Sequence, residues 1–219
     1  ETFPLGTTVV VWTAKDLSNN TATCSYTVIV VDESLPYVES GTCPDDIDVN
    51  NDLGQCGADV EYSVPTFGDN CDGTGLSGTL VEGLASGSEF PVGTTTVTYE
   101  YYDAAGNGPA VCSFDVTVND TENPEITCLE NITVEVDGSI TGGPATIVSS
   151  GPCGVNLSYT APVGTDNCPN AITLNTSGLG SGPNYFQYGS MYTESYQVVD
   201  AAGNTASCSF TITVLDPTI

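Results

Sequence analysis

Asp103-Ala104-Ala105-Gly106-Asn107, followed by Cys112-Ser113-Phe114-Asp115-Val116-Thr117-Val118, is the stretch on which the reading of this chain turns. In its second part Phe114, Val116 and Val118 alternate with Ser113, Asp115 and Thr117, the two-residue period of a half-buried strand. Val97, Tyr99 and Tyr101 alternate in the same way just upstream. Asp103 to Asn107, lying between two such runs, reads as a hairpin turn, with Gly106 where a left-handed backbone is needed.

The stretch recurs as Asp200-Ala201-Ala202-Gly203-Asn204 with Cys208-Ser209-Phe210, and in degenerate form as Asp16-Leu17-Ser18-Asn19-Asn20 with Cys24-Ser25-Tyr26. Asn19 stands in the place of the two glycines, and asparagine tolerates the same backbone. Phe210, Ile212 and Val214, and Tyr26, Val28 and Val30, repeat the alternation; Trp12 and Tyr196 align with Tyr99. Aromatic side chains at these inward positions read as core rather than as a carbohydrate-stacking platform. Cys56, Cys71 and Cys112 recur 97, 97 and 96 residues later as Cys153, Cys168 and Cys208, and Cys43 recurs as Cys128. The chain is therefore a tandem array: the last third of one unit over residues 1–32, two complete units over 33–120 and 121–216, and the start of a further linker at 217–219.

About seven short strands per unit, with turn signals at regular intervals, predict an all-β fold of tandem immunoglobulin-like antiparallel β-sandwiches. No segment shows helical periodicity or an apolar run long enough to cross a membrane.

The net charge is −27, with one cationic side chain, Lys15, and no histidine. Nucleic acid and anionic lipid are excluded as partners, because both need cationic side chains. A multivalent cation or a salty medium would screen such self-repulsion. Histidine-dependent catalysis is impossible, no acidic pair stands out for glycoside hydrolysis, and the chain reads as a non-enzyme.

Nine cysteines without histidine or a CxxC pair point to disulfides in an extracellular or cell-surface setting. Four cysteines per unit allow three pairings. The constant 15-residue spacing favours local staples, Cys56 to Cys71 and Cys153 to Cys168, with Cys43 to Cys112 and Cys128 to Cys208 joining first and last strands. Cys24, aligned with Cys112, would find its partner outside the chain.

Pro36, Cys43-Pro44, Asp69-Asn70-Cys71, Val92-Gly93-Thr94-Thr95-Thr96-Val97, Asp103 to Asn107 and Cys112-Ser113-Phe114 together resemble a hyalin repeat, the HYR domain. The next unit resembles it through Pro124, Cys128, Asp166-Asn167-Cys168, Asp200 to Asn204 and Cys208-Ser209-Phe210, departing from the pattern at Leu129 and around Tyr188-Gly189-Ser190. The resemblance implies extracellular adhesion or matrix modules and no catalytic residues.

In an immunoglobulin-like sandwich the incoming linker, one loop and the final hairpin turn share a pole. Those segments carry Asp32, Glu33, Asp69, Asn70, Asp103 and Asn107 in one unit, and Asp120, Glu122, Asp166, Asn167, Asp200 and Asn204 in the next. Hard oxygen ligands of this kind suit Ca²⁺, which takes about six to eight oxygens; the same carboxylates also serve as hydrogen-bond caps of turns. Asn-x-Ser/Thr sequons at Asn19, Asn119, Asn131, Asn156 and Asn175 are candidate glycosylation sites, in a number close to that expected by chance. Two functions are open: a disulfide-stapled stalk or self-assembling fibre whose partners are neighbouring repeats, or an adhesin whose loops Gly73 to Gly78 and Gly178 to Asn184 contact a glycan or surface protein.

Overall fold

In the computed structural model, residues 2–216 are described; the linker expected at 217–219 lies outside them. Every regular element among the described residues is a strand. Two compact units are formed, Glu1–Ile47 with Asp59–Phe90 and Thr94–Thr117, and Asp48–Ala58 with Pro91–Gly93 and Val118–Ile219.

The turn motif is built alike three times. Asn19, Gly106 and Gly203 have φ of 68°, 90° and 95°, the left-handed conformation the alignment demanded. In each copy the aspartate that opens the turn donates its backbone N–H to the asparagine carbonyl four residues on, at 3.0, 3.1 and 3.1 Å.

Strands flanking the turns pack as their alternation dictates. In Ala110–Asn119, Phe114, Val116 and Val118 are buried, as are Val97 and Tyr99 of Gly93–Tyr101. These two strands are central in a four-stranded sheet, ordered Ile47–Asn50, Ala110–Asn119, Gly93–Tyr101, Thr79–Glu82. Across from it are Gly57–Val60 paired with Ser88–Pro91, and Thr66–Asp69 between Tyr37–Val38 and Gly73–Ser77. Tyr62 stands edge-on to Phe90, Tyr99 and Phe114 and ties the layers together.

The other complete sandwich has a five-stranded sheet, Ile140–Gly142, Ile132–Val134, Thr205–Val214, Ser190–Val199, Ile172–Ser177, facing a three-stranded one, Ala145–Gly151, Gly154–Tyr159, Asn184–Gln187. Its core joins Ile132, Val134, Phe210, Ile212 and Val214 from the first sheet to Val155, Leu157, Tyr159 and Phe186 from the second. Ile132–Val134 runs parallel to Thr205–Val214, whereas the other strand pairs of this sandwich are antiparallel. Both repeats are immunoglobulin-like β-sandwiches.

The hairpin Gly6–Lys15 with Thr21–Val30 departs from the expectation of a buried stripe. Trp12 is 63% and Tyr26 50% exposed, because no second sheet covers this hairpin among the described residues.

Candidate functional site

Each compact unit contains a corner built from the same parts: an aspartate leading into a buried proline, an Asp-Asn-Cys loop, and the Asp-to-Asn hairpin turn. In the first unit Asp32 Oδ1 accepts the Ser34 N–H at 3.1 Å, and in the second Asp120 Oδ1 accepts the Glu122 N–H at 3.2 Å. Asp69 Oδ2 accepts from Cys71 N at 2.7 Å, and Asp166 Oδ2 from Cys168 N at 2.9 Å. These are Asx turns, which fix where each carboxylate points.

The hairpin turn closes the corner. The Asn107 amide donates both to Asp103 Oδ2, 2.7 Å, and to the Asp32 carbonyl, 3.1 Å. Asn204 repeats this on Asp200 Oδ2, 2.8 Å, and the Asp120 carbonyl, 3.1 Å. Asp103 and Asp200 also accept backbone N–H groups of their own turns. Burial pushes the Asp103 carboxyl up, but hydrogen bonds from Asn107, Gly106 and Ala105 outweigh it and hold the group below the usual carboxylate range. These four residues form a clasp on the linker. The alignment found them, but not that the asparagine amide bridges turn and linker.

The remaining expected ligands separate. Glu33 and Asn70 are exposed. Glu122 Oε2 accepts the Gly54 N–H at 2.7 Å, while Asn51 Oδ1 accepts the Thr121 N–H at 3.0 Å and Asn167 donates to the Gln55 carbonyl at 2.8 Å. These bonds, all inside the second unit, fasten the Asn51–Gln55 loop. What converges at each corner is a pair of carboxylates and a sulfur, Asp32, Asp69 and Cys71 in one and Asp120, Asp166 and Cys168 in the other, with ligand atoms within 4.8 Å of one another.

The sulfurs correct the expected pairing. Cys43 is bonded to Cys112 and Cys128 to Cys208, but Cys56 is bonded to Cys168, 112 residues away. The staples Cys56 to Cys71 and Cys153 to Cys168 do not form. Cys56 precedes strand Gly57–Val60 and Cys71 follows strand Thr66–Asp69; these strands lie in different sheets, so nothing folds the 15-residue segment back on itself. Constant spacing reflected a repeated position, not a bond. Cys24, Cys71 and Cys153 are exposed and carry no disulfide among the described residues. A hydrogen bond to Asp32, then burial and the charges of Asp32, Asp69 and Asp72, hold the Cys71 thiol above its ordinary range.

Beside the second corner a hollow of about 200 Å³ is lined by Gly54, Glu122, Asn123, Glu125, Thr165, Asp166 and Asn167. Asp166 Oδ1 and Asn167 Oδ1 are buried there without a hydrogen-bond partner. Of the sequons, Asn19, Asn119, Asn131 and Asn175 are exposed, whereas Asn156 is half-buried and donates to Ser149.

The repeated corner, sandwich and cysteine frame coincide with one known domain: the HYR domain matches residues 31–118 and again 119–214. The chain belongs to the HYR domain family. Among curated proteins these HYR repeats are similar to Hyalin of Lytechinus variegatus, 35% identical over 218 residues, covering 98% of this chain and 38% of that protein. Hyalin of Strongylocentrotus purpuratus is 33% identical over 220 residues, 98% of this chain and 17% of that protein. The HYR segment thus spans less than half the length of either relative. Among solved structures, the extracellular cadherin domains 1–4 of Protocadherin Gamma B7 align with 95% of the chain and 57% of that structure, at 16% identity and a TM-score of 0.33.

Proposed function

We propose that this chain is a segment of an extracellular structural array in which HYR repeats are held to their neighbours as a stalk or fibre. The observation that carries this reading is the Cys56–Cys168 disulfide, which joins one repeat to the next in sequence. A module acting alone has no use for such a bond. The Glu122 carboxylate on the Gly54 N–H and the Asn167 amide on the Gln55 carbonyl join the same two repeats. Three disulfides support an oxidising, extracellular compartment for this array.

Ca²⁺ is part of this proposal at a narrower site than the sequence indicated. Asp103, Asn107, Asp200 and Asn204 are committed to the clasp, which leaves Asp32 with Asp69, and Asp120 with Asp166, as carboxylate pairs. At the second corner Cys168 is consumed by its disulfide, so the donors are oxygens. The partnerless Asp166 Oδ1 and Asn167 Oδ1 are acceptors that a hard cation would satisfy. Affinity in extracellular modules of this class is on the order of 10⁻⁴ to 10⁻³ M.

Thermal unfolding of the whole chain in millimolar Ca²⁺ against EDTA tests this. The expected result is a higher Tm with Ca²⁺ that Asp166→Asn abolishes. An identical melt in both buffers would reduce the carboxylate pairs to turn caps, and the array would rest on disulfides and linkers.

The adhesin reading has one observation in its favour. The Gly178 to Asn184 loop is held on a fully buried carboxylate, Glu194, through the Leu179 and Gly180 N–H groups at 2.8 and 2.9 Å. A loop ordered in advance loses little entropy on binding. Binding of the whole chain on a glycan array, lost when that loop is replaced, would favour it.

A further inference from the structure

Cys71 and Cys153 do not carry an inference by themselves; the disulfide between their counterparts does. Cys153 stands where Cys56 stands, and Cys71 where Cys168 stands, 97 residues apart in each case. The local structure repeats with the spacing. Cys56 accepts a hydrogen bond at its carbonyl from Val92 N at 3.2 Å, and Cys153 from Tyr188 N at 3.0 Å. Each lies immediately before a core strand, Gly57–Val60 or Gly154–Tyr159. Cys71 and Cys168 each donate their N–H to the aspartate two residues earlier, and each has its neighbouring asparagine beside the sulfur, Asn70 at 3.2 Å and Asn167 at 3.7 Å.

We propose that Cys153 and Cys71 are the outgoing and incoming halves of the repeat-to-repeat disulfide seen at Cys56–Cys168, and that the partner each takes is the corresponding cysteine of another copy of this repeat. The inference extends the array reading from one junction to all of them: the bond recurs at every junction, so successive repeats are covalently laced independently of the peptide linker.

The chemistry balances with a small-molecule disulfide such as oxidised glutathione as the oxidant. Two thiols lose their protons, one attacks the oxidant to give a mixed disulfide and one glutathione thiolate, and the second displaces the other. One protein S–S bond forms, and two electrons and two protons end on two glutathione thiols.

Two proteins test this: the chain as it is, and the same chain with a second copy of residues 33–216 attached after Asp216. Both are oxidised with glutathione disulfide, cut with pepsin at acid pH and mapped without reduction. In the first, Cys56–Cys168 is expected, with Cys71 and Cys153 free or capped by glutathione. In the lengthened chain, Cys153 of the first copy is expected on Cys71 of the second. Counting free and glutathione-capped cysteines together, the original chain has three outside protein disulfides, the added copy brings two and the bond removes two, so three remain instead of five. Cys153→Ser in the first copy should return Cys71 of the second copy to the free or glutathione-capped pool, with Cys43–Cys112 and Cys128–Cys208 in both copies reporting an intact fold. Cys56–Cys71 or Cys153–Cys168 in either map would overturn the proposal. So would five cysteines outside protein disulfides, free or glutathione-capped, in a lengthened chain that forms Cys56–Cys168 in each copy. Neither result depends on Ca²⁺, so a failed melting test leaves this inference standing, and the reverse.

Discussion

The two complete repeats are alike at their corners and unlike at one point in their cores. Tyr62 and Tyr99 meet hydroxyl to hydroxyl at 3.1 Å in the middle repeat, and Tyr159 and Tyr196 do so at 2.9 Å in the last. Two residues before the second tyrosine, the middle repeat buries Val97 and the last buries Glu194, both at 0% exposure. Glu194 accepts from the Tyr159 hydroxyl at 2.9 Å as well as from Leu179 and Gly180, so every oxygen of this interior carboxylate has a donor. Gly178, with φ +99°, lies so close that a Cβ there would collide with the Glu194 carboxylate. A position that only packs in one repeat thus organises a loop in the other. The scaffold tolerates the change because the new group brings its whole hydrogen-bonding shell with it.

The widest separation of the repeats should come from Cys56→Ala combined with Cys168→Ala. By the loop-entropy estimate this lowers stability by about 4 to 5 kcal/mol, confined to the unit holding the bond. Calorimetry should show one transition falling while the other stays, and a uniform fall would mean that the repeats unfold together.

Glu194→Ala strands the donors that converge on it and should destabilise the last repeat by about 3 to 5 kcal/mol, at about 1 to 3 kcal/mol for each buried donor left unpaired. Glu194→Gln, which keeps an acceptor, should cost less. Equal losses in denaturant titration would show that charge, not hydrogen bonding, secures the loop.

The clasp should make the repeats look alike again. Asn107→Ala and Asn204→Ala each remove an amide that holds both a turn aspartate and a linker carbonyl, for about 1 to 2 kcal/mol apiece. A large inequality between the two Tm shifts would break the equivalence of the corners.

The smallest effect is acid sensitivity. A carboxyl depressed in the folded state, as Asp103 is, contributes stability that is present above its unfolded pKa of about 3.9 and is lost as pH falls through the lower folded value. Asn107→Ala removes its leading hydrogen-bond donor, so the stability profile of that variant should be flatter below about pH 4. Superimposable profiles would count against the clasp as the cause.

Sandwich strands, turns and the three-fold motif were legible because they follow from periodicity and backbone conformation, both local properties: Phe114, Val116 and Val118 have to share a face, and Asn19, Gly106 and Gly203 have to turn. The corner aspartates were legible as a group for the same reason. Disulfide pairing was legible only where first and last strands bring the sulfurs together. Cys56 to Cys168 depends on where loop Asn51–Gln55 is fastened, and Glu122, Asn51 and Asn167 do that across more than 60 residues of sequence. By the two-residue period Glu194 shares the inward face with Tyr196, but a carboxylate there does not read as interior until the fold brings to it the Leu179 and Gly180 N–H groups and the Tyr159 hydroxyl that satisfy it.

The overlap of the three bridges sets how far the protein can be drawn out. If every strand were pulled apart by force on the two ends, tension would jump from Cys43 to Cys112, cross the short peptide to Cys128 and jump again to Cys208. The segments left to extend reach roughly 240 Å at about 3.4 Å per residue, against roughly 740 Å for the unbridged chain. The route through Cys56 and Cys168 is longer than that central peptide, so this bond stays slack even then. Single-molecule stretching should therefore record the same final length with and without it: two bridges limit reach, and the third keeps neighbours in place for the return.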